Sequence, residues 1–453
     1  MVVFSLIKRS ELEGAKRLDA EYYQPEYLDA VEKIKELSYQ RLGDLCTKVT
    51  DGSHQTPEYQ KSGVPFLMVK DVTEQQINFD GDISFITREF DKILKSCKPV
   101  VGDILLTKVG SVGISAVVPD SAPSFNIFVS LAVLKGVSDV DKYFLSTFLN
   151  SKFGRFQAIR SAKGISQPDL HLEDIRNFIV PNISVDQKEK IAALTLRAEK
   201  AFKNAKNLYI QAEEMLLEEL GLADFEEKAS GELWSVAKLS EVKTAGRIDA
   251  EYFQSRYEKL VEKLRAYKAK RLEDVIENVP ARFDPTKEPD KEINYVELSN
   301  INAPIGVIDG ASVVVSKETP SRAKRLLKAN DVIVSSVEGS LEKVALVDKA
   351  QSGHVASTGF FQFRSKEILP EVLLVLAKSV VFRYQLEQRC AGTILTAVPK
   401  ESIKEMLVPV LPDKVQQKIA EMVRESHVAR AEAKRLLDEA KRKVEELIES
   451  NAK

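Results

Sequence analysis

The chain has 453 residues, too many for one ordinary hydrophobic core, so we expect two or three domains. Its 44% hydrophobic content is typical of a globular protein, and its longest apolar run, residues 368–382, is too short and too charged to span a bilayer. The net charge of −2 lacks the usual basic signature of nucleic-acid binding, and three scattered cysteines predict neither a metal site nor disulfides, which favours the cytoplasm.

An eleven-residue segment near the start of the chain, the duplicated phrase, occurs twice in the sequence. RLDAEYYQPEY at residues 17–27 returns as RIDAEYFQSRY at residues 247–257, with seven of eleven positions identical and an offset of 230 (247 − 17). Further matches pair 31–45 with 261–275, 64–81 with 293–310, and 178–192 with 406–420, where the offset is 228 (406 − 178). Because this period is far longer than that of a solenoid repeat, it indicates a tandem duplication with pseudo-two-fold geometry.

The first part of each repeat is globular. Short β-rich runs such as PFLMV and DILLTKV are separated by Gly, Pro and Asp turns, and residues 141–161 have a helical pattern. The mixed order is typical of an α+β or α/β fold, and we take α+β as the prediction. The predicted globular domains cover residues 1–186 and 247–414.

The second part of each repeat is a long helix, predicted over residues 187–220 and again within 415–453, with a linker at 221–246. Both helices lack Gly and Pro, and their apolar residues repeat at heptad spacing. The predicted interface is Ile191, Leu194, Ala198, Ala205, Leu208, Ile419, Met422, Ala429, Ala433 and Leu436. We expect an antiparallel coiled coil about 50 Å long; the alternative is that each helix lies on its own domain.

Catalytic motifs are absent from the sequence. It contains neither a phosphate loop of the G-x-x-x-x-G-K-[ST] type nor G-x-G-x-x-G. His54, three residues after Asp51, could form an acid–base pair, but Asp-Gly-Ser is equally turn chemistry, and the matching residues 278–289 have no histidine. We therefore predict a protein that performs no reaction and needs no cofactor or metal of its own.

Polar and basic loops suggest recognition instead. The loop TDGSHQTPEY, the glycine turn KVGSVG and the basic stretches at 152–163 and 317–328 could contact bases or phosphates. A solvated basic face is the alternative for any single residue. The predicted DNA-binding residues are His54, Gln55, Thr56, Lys108, Ser111, Lys163, Ser166 and Gln167 in the first repeat, and Arg282, Ser336, Ser340, Thr393 and Thr396 in the second.

The motifs carry a resemblance across nearly the whole chain. TDGSHQTPEYQKSGVPFLMVKDV, GDILLTKVGSVG and AKGISQPDLHLEDIRNFIVPNISVDQKEKIA, followed by a long helix, resemble the specificity subunit of type I restriction–modification systems. The resemblance implies two target recognition domains, each contacting one part of a bipartite, asymmetric site in double-stranded DNA. The helices would set the gap and dock two modification subunits. The second repeat departs from the motifs, since its loop lacks DGSH.

The resemblance also implies where the chemistry lies. S-adenosylmethionine would be bound by the modification subunits, which flip and methylate adenine. ATP and Mg²⁺ would be used by restriction subunits that translocate and cut DNA. Three alternatives stay open: an enzyme with an unrecognised site, a DNA- or protein-binding scaffold or decoy of the same architecture, and a specificity partner of a related fused restriction–methylation enzyme.

Overall fold

The structure is a computed structural model, which describes residues 4–10, 12, 17–73, 75–79, 83–164, 166–225, 235–392 and 396–451. The chain forms two units: unit 1 contains Met1–Ala201 and Glu432–Lys453, and unit 2 contains Phe202–Ala431. Each long helix is therefore divided between them. We call the globular part of unit 1 head 1 and that of unit 2 head 2. In the described part of the chain, no helix is long and apolar enough to cross a membrane.

Head 1 mixes short strands with short helices. Its elements are α1 Pro25–Lys35, β1 Tyr39–Arg41, β2 Lys48–Asp51, β3 Val64–Leu67, β4 Val72–Thr73, β5 Gln76–Ile77, β6 Ser84–Ile86, α2 Arg88–Ile93, β7 Ile104–Thr107, β8 Ser115–Val117, β9 Asn126–Ile127, β10 Leu131–Lys135, α3 Asp141–Asn150, α4 Lys152–Ser161, α5 Leu172–Arg176 and β11 Ile179–Pro181. Local chemistry starts several of these helices. Pro25 occupies the first turn of α1, and the Thr87 hydroxyl accepts the backbone N–H of Phe90 at the start of α2.

The long helix α6, Val185–Glu219, follows, and the second repeat begins after it. The remaining elements are α7 Leu239–Ala245, α8 Ser255–Ala266, β12 Lys270–Arg271, α9 Leu272–Val275, β13 Ile276–Asn278, β14 Glu292–Val296, β15 Ile301–Asn302, β16 Val307–Ile308, β17 Ser312–Val315, β18 Ala323–Leu326, β19 Val332–Ser335, β20 Val344–Leu346, β21 Val355–Ser357, β22 Phe360–Ser365, α10 Pro370–Lys378, α11 Val380–Arg389, β23 Leu407–Val408 and α12 Asp413–Asn451.

The two heads share one sheet topology. In head 1 an antiparallel sheet has the order β2-β10-β7-β8, and a smaller sheet has the order β6-β3-β9 with β3 and β9 parallel. In head 2 the corresponding orders are β13-β22-β19-β20 and β17-β14-β21-β18, with β14 and β21 parallel. Strand β18 extends the second sheet of head 2, and the described residues of head 1 form no matching strand. The prediction of two homologous α+β heads is confirmed.

Runs of buried side chains along the central strands place the cores on these sheets. Strand β7 is buried at all four positions, because its sheet is covered on both faces. The core of head 1 includes Leu67, Leu105, Phe125, Ile127, Leu131 and Val133. A matching cluster in head 2 includes Val296, Ile333, Ala345, Ala356 and Phe360.

The duplicated phrase forms the same side-chain clamp in each unit. The Arg17 guanidinium binds Asp19 through two hydrogen bonds of 2.8 and 2.6 Å, and it also donates to the carbonyls of Ser161 and Ala162 at the end of α4. Arg247 pairs with Asp249 at 2.9 and 2.6 Å, and it donates to the Cys390 carbonyl at the end of α11. The repeat therefore satisfies helix-terminal carbonyls that would otherwise lack partners.

The long helices pair antiparallel. In unit 2 the Ser426 hydroxyl donates to the Ala205 carbonyl at 2.6 Å, and the Arg430 guanidinium lies 5.3 Å from the centre of the Phe202 ring. As residue numbers fall in α6, their partners in α12 therefore rise, as the predicted fold requires. Both helices begin two residues before the predicted bounds.

Burial along the helices departs from a strict heptad. Most predicted interface residues are buried, namely Ile191, Leu194, Ala198, Ala205, Ile419, Ala433 and Leu436, whereas Leu208, Met422 and Ala429 are half-buried. The neighbours Tyr209, Val423 and Arg430 are the buried ones. An α-helix turns every 3.6 residues, so a seam drawn every 3.5 residues drifts around its surface.

Candidate nucleic-acid interface

The polar loop after β2 is fastened to the core of head 1. A Cβ on Gly52 would lie 2.2 Å from the Ile127 carbonyl oxygen, so only glycine allows this approach. The Ser53 backbone N–H donates to the same carbonyl, and its hydroxyl donates to the Gln55 carbonyl. This anchoring leaves the three predicted contacts His54, Gln55 and Thr56 exposed at the surface.

The glycine turn after β7 brings a second loop to the same place. Gly110 and Gly113 have positive φ angles of 77° and 85°, which glycine adopts readily. The Gly110 N–H donates to the Pro168 carbonyl at 2.8 Å, which ties the turn to residues 163–170. The structure thus places Ser111 beside the segment that carries Lys163, Ser166 and Gln167, and all four side chains are exposed.

A network of charges joins these loops beneath the surface. Lys108 Nζ lies 3.2 Å from Asp51 Oδ2 and 3.5 Å from Asp169 Oδ1, and His54 Nε2 lies 3.4 Å from Asp51 Oδ2. The backbone of Lys108 is also held, since its N–H donates to the Ser130 carbonyl and its carbonyl accepts from Leu170. One buried cation therefore fixes the relative positions of the loops at 51–56 and 163–170.

Burial changes the role expected of Lys108. Its side chain is only 7% exposed and faces two carboxylates. An ammonium in this setting is neutralised from within the head, so an approaching phosphate does not reach it in this conformation. Its position suits holding the loops at 51–56 and 163–170 together better than the predicted direct contact.

Most of the basic stretch in head 1 is also engaged within its unit. The Lys152 side chain pairs with Glu449 of α12, and the Arg155 guanidinium donates to the Val112 carbonyl. Arg160 lies over the Tyr22 ring at 4.1 Å. Only Lys163 belongs to the polar surface described above, where it pairs with Asp174 at 3.0 Å. Cation count alone therefore overestimates the surface available to DNA.

In head 2 the corresponding loops converge through hydrogen bonds between neutral groups. The N–H and hydroxyl of Ser336 both donate to the Gly359 carbonyl, and the Glu338 N–H donates to the Thr396 carbonyl. The Ser340 hydroxyl lies 3.0 Å from that of Ser335. Ser336, Ser340 and Thr396 therefore come together half-buried, whereas Thr393 lies outside the described residues.

Strand β18 brings basic side chains to this edge of head 2. The Thr358 N–H donates to the Arg322 carbonyl at 2.8 Å, which places exposed Arg322 next to the Ser336–Gly359 contact. Arg325 is instead buried and donates to the Val279 carbonyl, and burial lowers the pKa of its guanidinium. The Phe283 N–H donates to the Lys324 carbonyl, so the loop carrying exposed Arg282 runs beside the strand.

Asp169 was missed by the sequence reasoning. Its relation to Lys108 depends on contact between loops far apart in the sequence, and nothing in QPDL predicts it. A comparison of the repeats offered one signal, because the residue 228 positions later is Ala397 (169 + 228). Because the second repeat folds without this charge, Asp169 is a candidate for a functional rather than a structural role.

No metal or cofactor position emerges from the residues that the structure describes. Among them, no group of three or more His, Cys, Asp or Glu side chains is placed to hold a metal ion. The arrangement offers exposed hydroxyl, amide, imidazole and carboxylate groups on a rigid support, which suits hydrogen bonding to a polar surface such as a DNA groove.

Comparison with known proteins supports this reading of the motifs. No family model matches the chain. The chain is similar to the type I restriction enzyme EcoBI specificity subunit of Escherichia coli, at 25% identity over 159 residues, which are 34% of this chain and 32% of that protein. The match thus spans about a third of the curated relative. The predicted resemblance to specificity subunits is confirmed.

Solved structures give weaker likenesses. The S subunit of a type I restriction–modification system from M. genitalium has a TM-score of 0.40 and 12% identity, covering 92% of this chain and 96% of that one. The HsdS subunit from Thermoanaerobacter tengcongensis covers the same shares with a TM-score of 0.28 and 13% identity. At these scores the superpositions carry no argument about the site.

Proposed function

We propose that this chain is the DNA-sequence-recognition subunit of a type I restriction–modification complex. Each head contacts one part of a bipartite, asymmetric target in double-stranded DNA. The observation that carries the proposal is the internal duplication: two heads with one sheet topology present different side chains at the same edge. The sequence likeness to a specificity subunit supports the same assignment.

The polar residues of the two edges are the proposed contacts. In head 1 these are His54, Gln55, Thr56, Ser111, Lys163, Ser166 and Gln167, with Lys108 as a positioning residue; in head 2 they are Arg282, Ser336, Ser340 and Thr396. Base contacts specify sequence, whereas phosphate contacts fix position. Replacing a base contact by Ala should relax specificity at one position, and replacing a phosphate contact should weaken binding to all sequences alike.

Partners supply the chemistry in this proposal. Two modification subunits dock on the paired helices and bind S-adenosylmethionine, and restriction subunits use ATP and Mg²⁺. The chain itself is a non-catalytic subunit whose task is recognition. Because the net charge is only −2, most of the phosphate neutralisation falls to the partner subunits.

The helices set the gap between the two parts of the target in this proposal. Inserting one helical turn at matched positions of α6 and α12 should change the tolerated gap and leave the specified bases unchanged. Methylated-adenine sequencing in cells that carry the complete system measures both quantities. Changed bases at an unchanged gap would contradict the spacing role.

Selection from a randomised duplex library tests the function itself. The chain, co-purified with its modification subunits, should enrich a motif of two specified parts separated by an unspecified gap. A protein-binding scaffold or decoy would bind the partner subunits without enriching any motif. A nuclease or transferase would instead cut or modify DNA as the isolated chain.

A further inference from the structure

The two carboxylate oxygens of Asp169 have different surroundings. Its side chain is 45% exposed, although Oδ1 is buried, makes no hydrogen bond and lies at an ion-pair distance of 3.5 Å from Lys108 Nζ. The exposed part of the side chain therefore includes Oδ2. The backbone is fixed as well, since Asp169 and Lys163 exchange two hydrogen bonds of 2.7 and 2.8 Å. Asp169 is thus a carboxylate on a fixed backbone, with Oδ1 facing the Lys108 ammonium and Oδ2 left to accept a hydrogen bond at the surface of head 1.

Lys108 makes this orientation possible. Its ammonium lies between Asp169 and Asp51, and the Asp51 side chain is only 12% exposed. Burying a cation is unfavourable unless well-placed partners compensate it, so such networks contribute little to stability compared with apolar packing. The network is better explained by the geometry that it imposes on Asp169.

The second repeat demonstrates that the fold does not need this network. Positions 228 or 229 residues later carry Pro280 in place of Asp51 (51 + 229), Ser336 in place of Lys108 (108 + 228) and Ala397 in place of Asp169 (169 + 228). The surrounding backbone contacts are nevertheless kept. Lys163 exchanges hydrogen bonds with Asp169, and Ala391 does the same with Ala397. These backbone hydrogen bonds therefore form in both heads, whether or not the three charged side chains are present.

The chemistry of the acceptor limits what it can bind in DNA. A carboxylate is repelled by phosphate but accepts hydrogen bonds from amino groups, which cytosine N4 and adenine N6 expose in the major groove. We propose that Asp169 is a specificity-determining residue that accepts a hydrogen bond from the amino group of one base in the half-site bound by head 1, with Lys108 holding it in place. This inference rests on the proposed function.

The first test removes the acceptor. Asp169→Ala, in complex with the modification subunits, should lose discrimination of about 10- to 100-fold at one base position and keep the remaining motif. Lys108→Met should relax the same position, because it frees the carboxylate. Asp139→Ala is the matched control, since it removes one charge from a carboxylate that is 93% exposed and pairs only with Lys142. This control should leave every position unchanged.

The second test removes the donor from the DNA and measures binding by the wild-type protein. At the position that Asp169→Ala relaxes, wild-type protein is titrated with duplexes in which cytosine is replaced by 2-pyrimidinone or adenine by purine, each lacking only the amino group. One of the two replacements should weaken binding about 10- to 100-fold, which identifies the base. Equal affinity for the matched duplexes would overturn the proposal.

Other outcomes separate the inference from the function. If Asp169→Ala weakened binding to all DNA sequences alike and left the motif unchanged, the residue would have a structural role, and its specificity role would be overturned. Failure of the wild-type complex to enrich any motif would instead overturn the proposed function. Asp169→Asn, which keeps the shape of the side chain, serves as the second variant if the Ala variant does not fold.

Discussion

Heads 1 and 2 share some charged contacts and differ in others. Both keep the Arg–Asp clamp of the duplicated phrase, and both keep an ion pair at the end of the main sheet, Asp103–Lys135 in head 1 and Asp331–Arg364 in head 2, each at 2.8 Å. Head 1 alone joins Asp51, Lys108 and Asp169. Contacts present twice hold the common fold, and contacts present once are candidates for what each head recognises.

The shared ion pair should give the largest effect on stability. Asp331 is fully buried and accepts hydrogen bonds from Arg364 and Gln362, so Asp331→Ala removes the partner of the guanidinium and one of the two acceptors of the amide. We expect a loss of about 3–5 kcal/mol in unit 2 and a comparable loss in unit 1 for Asp103→Ala. Urea unfolding measures the loss, and amide exchange assigns it to a unit. Lys317→Ala, which removes a surface ion pair, should cost less than about 1 kcal/mol.

A buried lysine gives unit 2 a pH-dependent contribution to stability that has no counterpart at the matching position of unit 1. Burial lowers the pKa of Lys378 from 10.5 to about 8, although Glu213 partly opposes the shift, whereas the matching residue in head 1 is Asn150 (378 − 228). Between pH 8 and 10.5 the unfolded chain binds more protons at this residue than the folded one, so the contribution of Lys378 to stability rises with pH.

Lys378→Met should remove that rise. It should also stabilise unit 2 by about 1–3 kcal/mol at pH 7, where the wild type must hold a buried ammonium. Urea unfolding of both proteins between pH 7 and pH 10.5 tests this expectation. An undiminished rise in the variant would assign the dependence to another group.

The duplicated clamps should be equivalent. Arg17→Ala and Arg247→Ala each remove hydrogen bonds to carbonyls at the end of a helix, so we expect a loss of about 1–2 kcal/mol in each unit. Amide exchange at the ends of α4 and α11 detects the loosened turns. A large effect in one repeat and none in the other would mean that the phrase does not serve the same purpose twice.

The smallest expected effect concerns a feature of head 2 only. Arg322 is exposed at the start of β18, beside Ser336, and head 1 has no described strand in the corresponding place. If it contacts a phosphate, Arg322→Ala should weaken binding to all sequences severalfold and lower the salt slope by about one. Buried Arg325 is unsuitable for this test, because its replacement would disturb the fold. An unchanged salt slope would exclude Arg322 as a contact.

The sequence predicted the architecture well and the site only in part. Internal repetition required no knowledge of packing, so the two heads, the helices and their antiparallel pairing followed from it. The predicted loop residues His54, Gln55, Thr56, Ser111 and Gln167 are exposed, and their contact with DNA stays a prediction. The role of Lys108 could not be predicted, because its burial depends on Asp51 and Asp169 from separate loops.

The helix interface illustrates the same limit. A heptad drawn from sequence selects Leu208 and Ala429, but the helix buries Tyr209 and Arg430 beside them. Heptad spacing alone cannot determine which of two neighbouring residues is buried. The answer depends on which surface of the helix packs against a globular head. Tyr209, for example, belongs to the core cluster of unit 2.

The proposed function requires that head 1 and head 2 contact separate parts of one DNA target. The most direct test is library selection with the wild-type complex and the Asp169→Ala variant, side by side. The account predicts a two-part motif for the wild type, with one part relaxed at a single position in the variant and the other part identical. A motif without two parts, or a variant that alters both parts together, would contradict it.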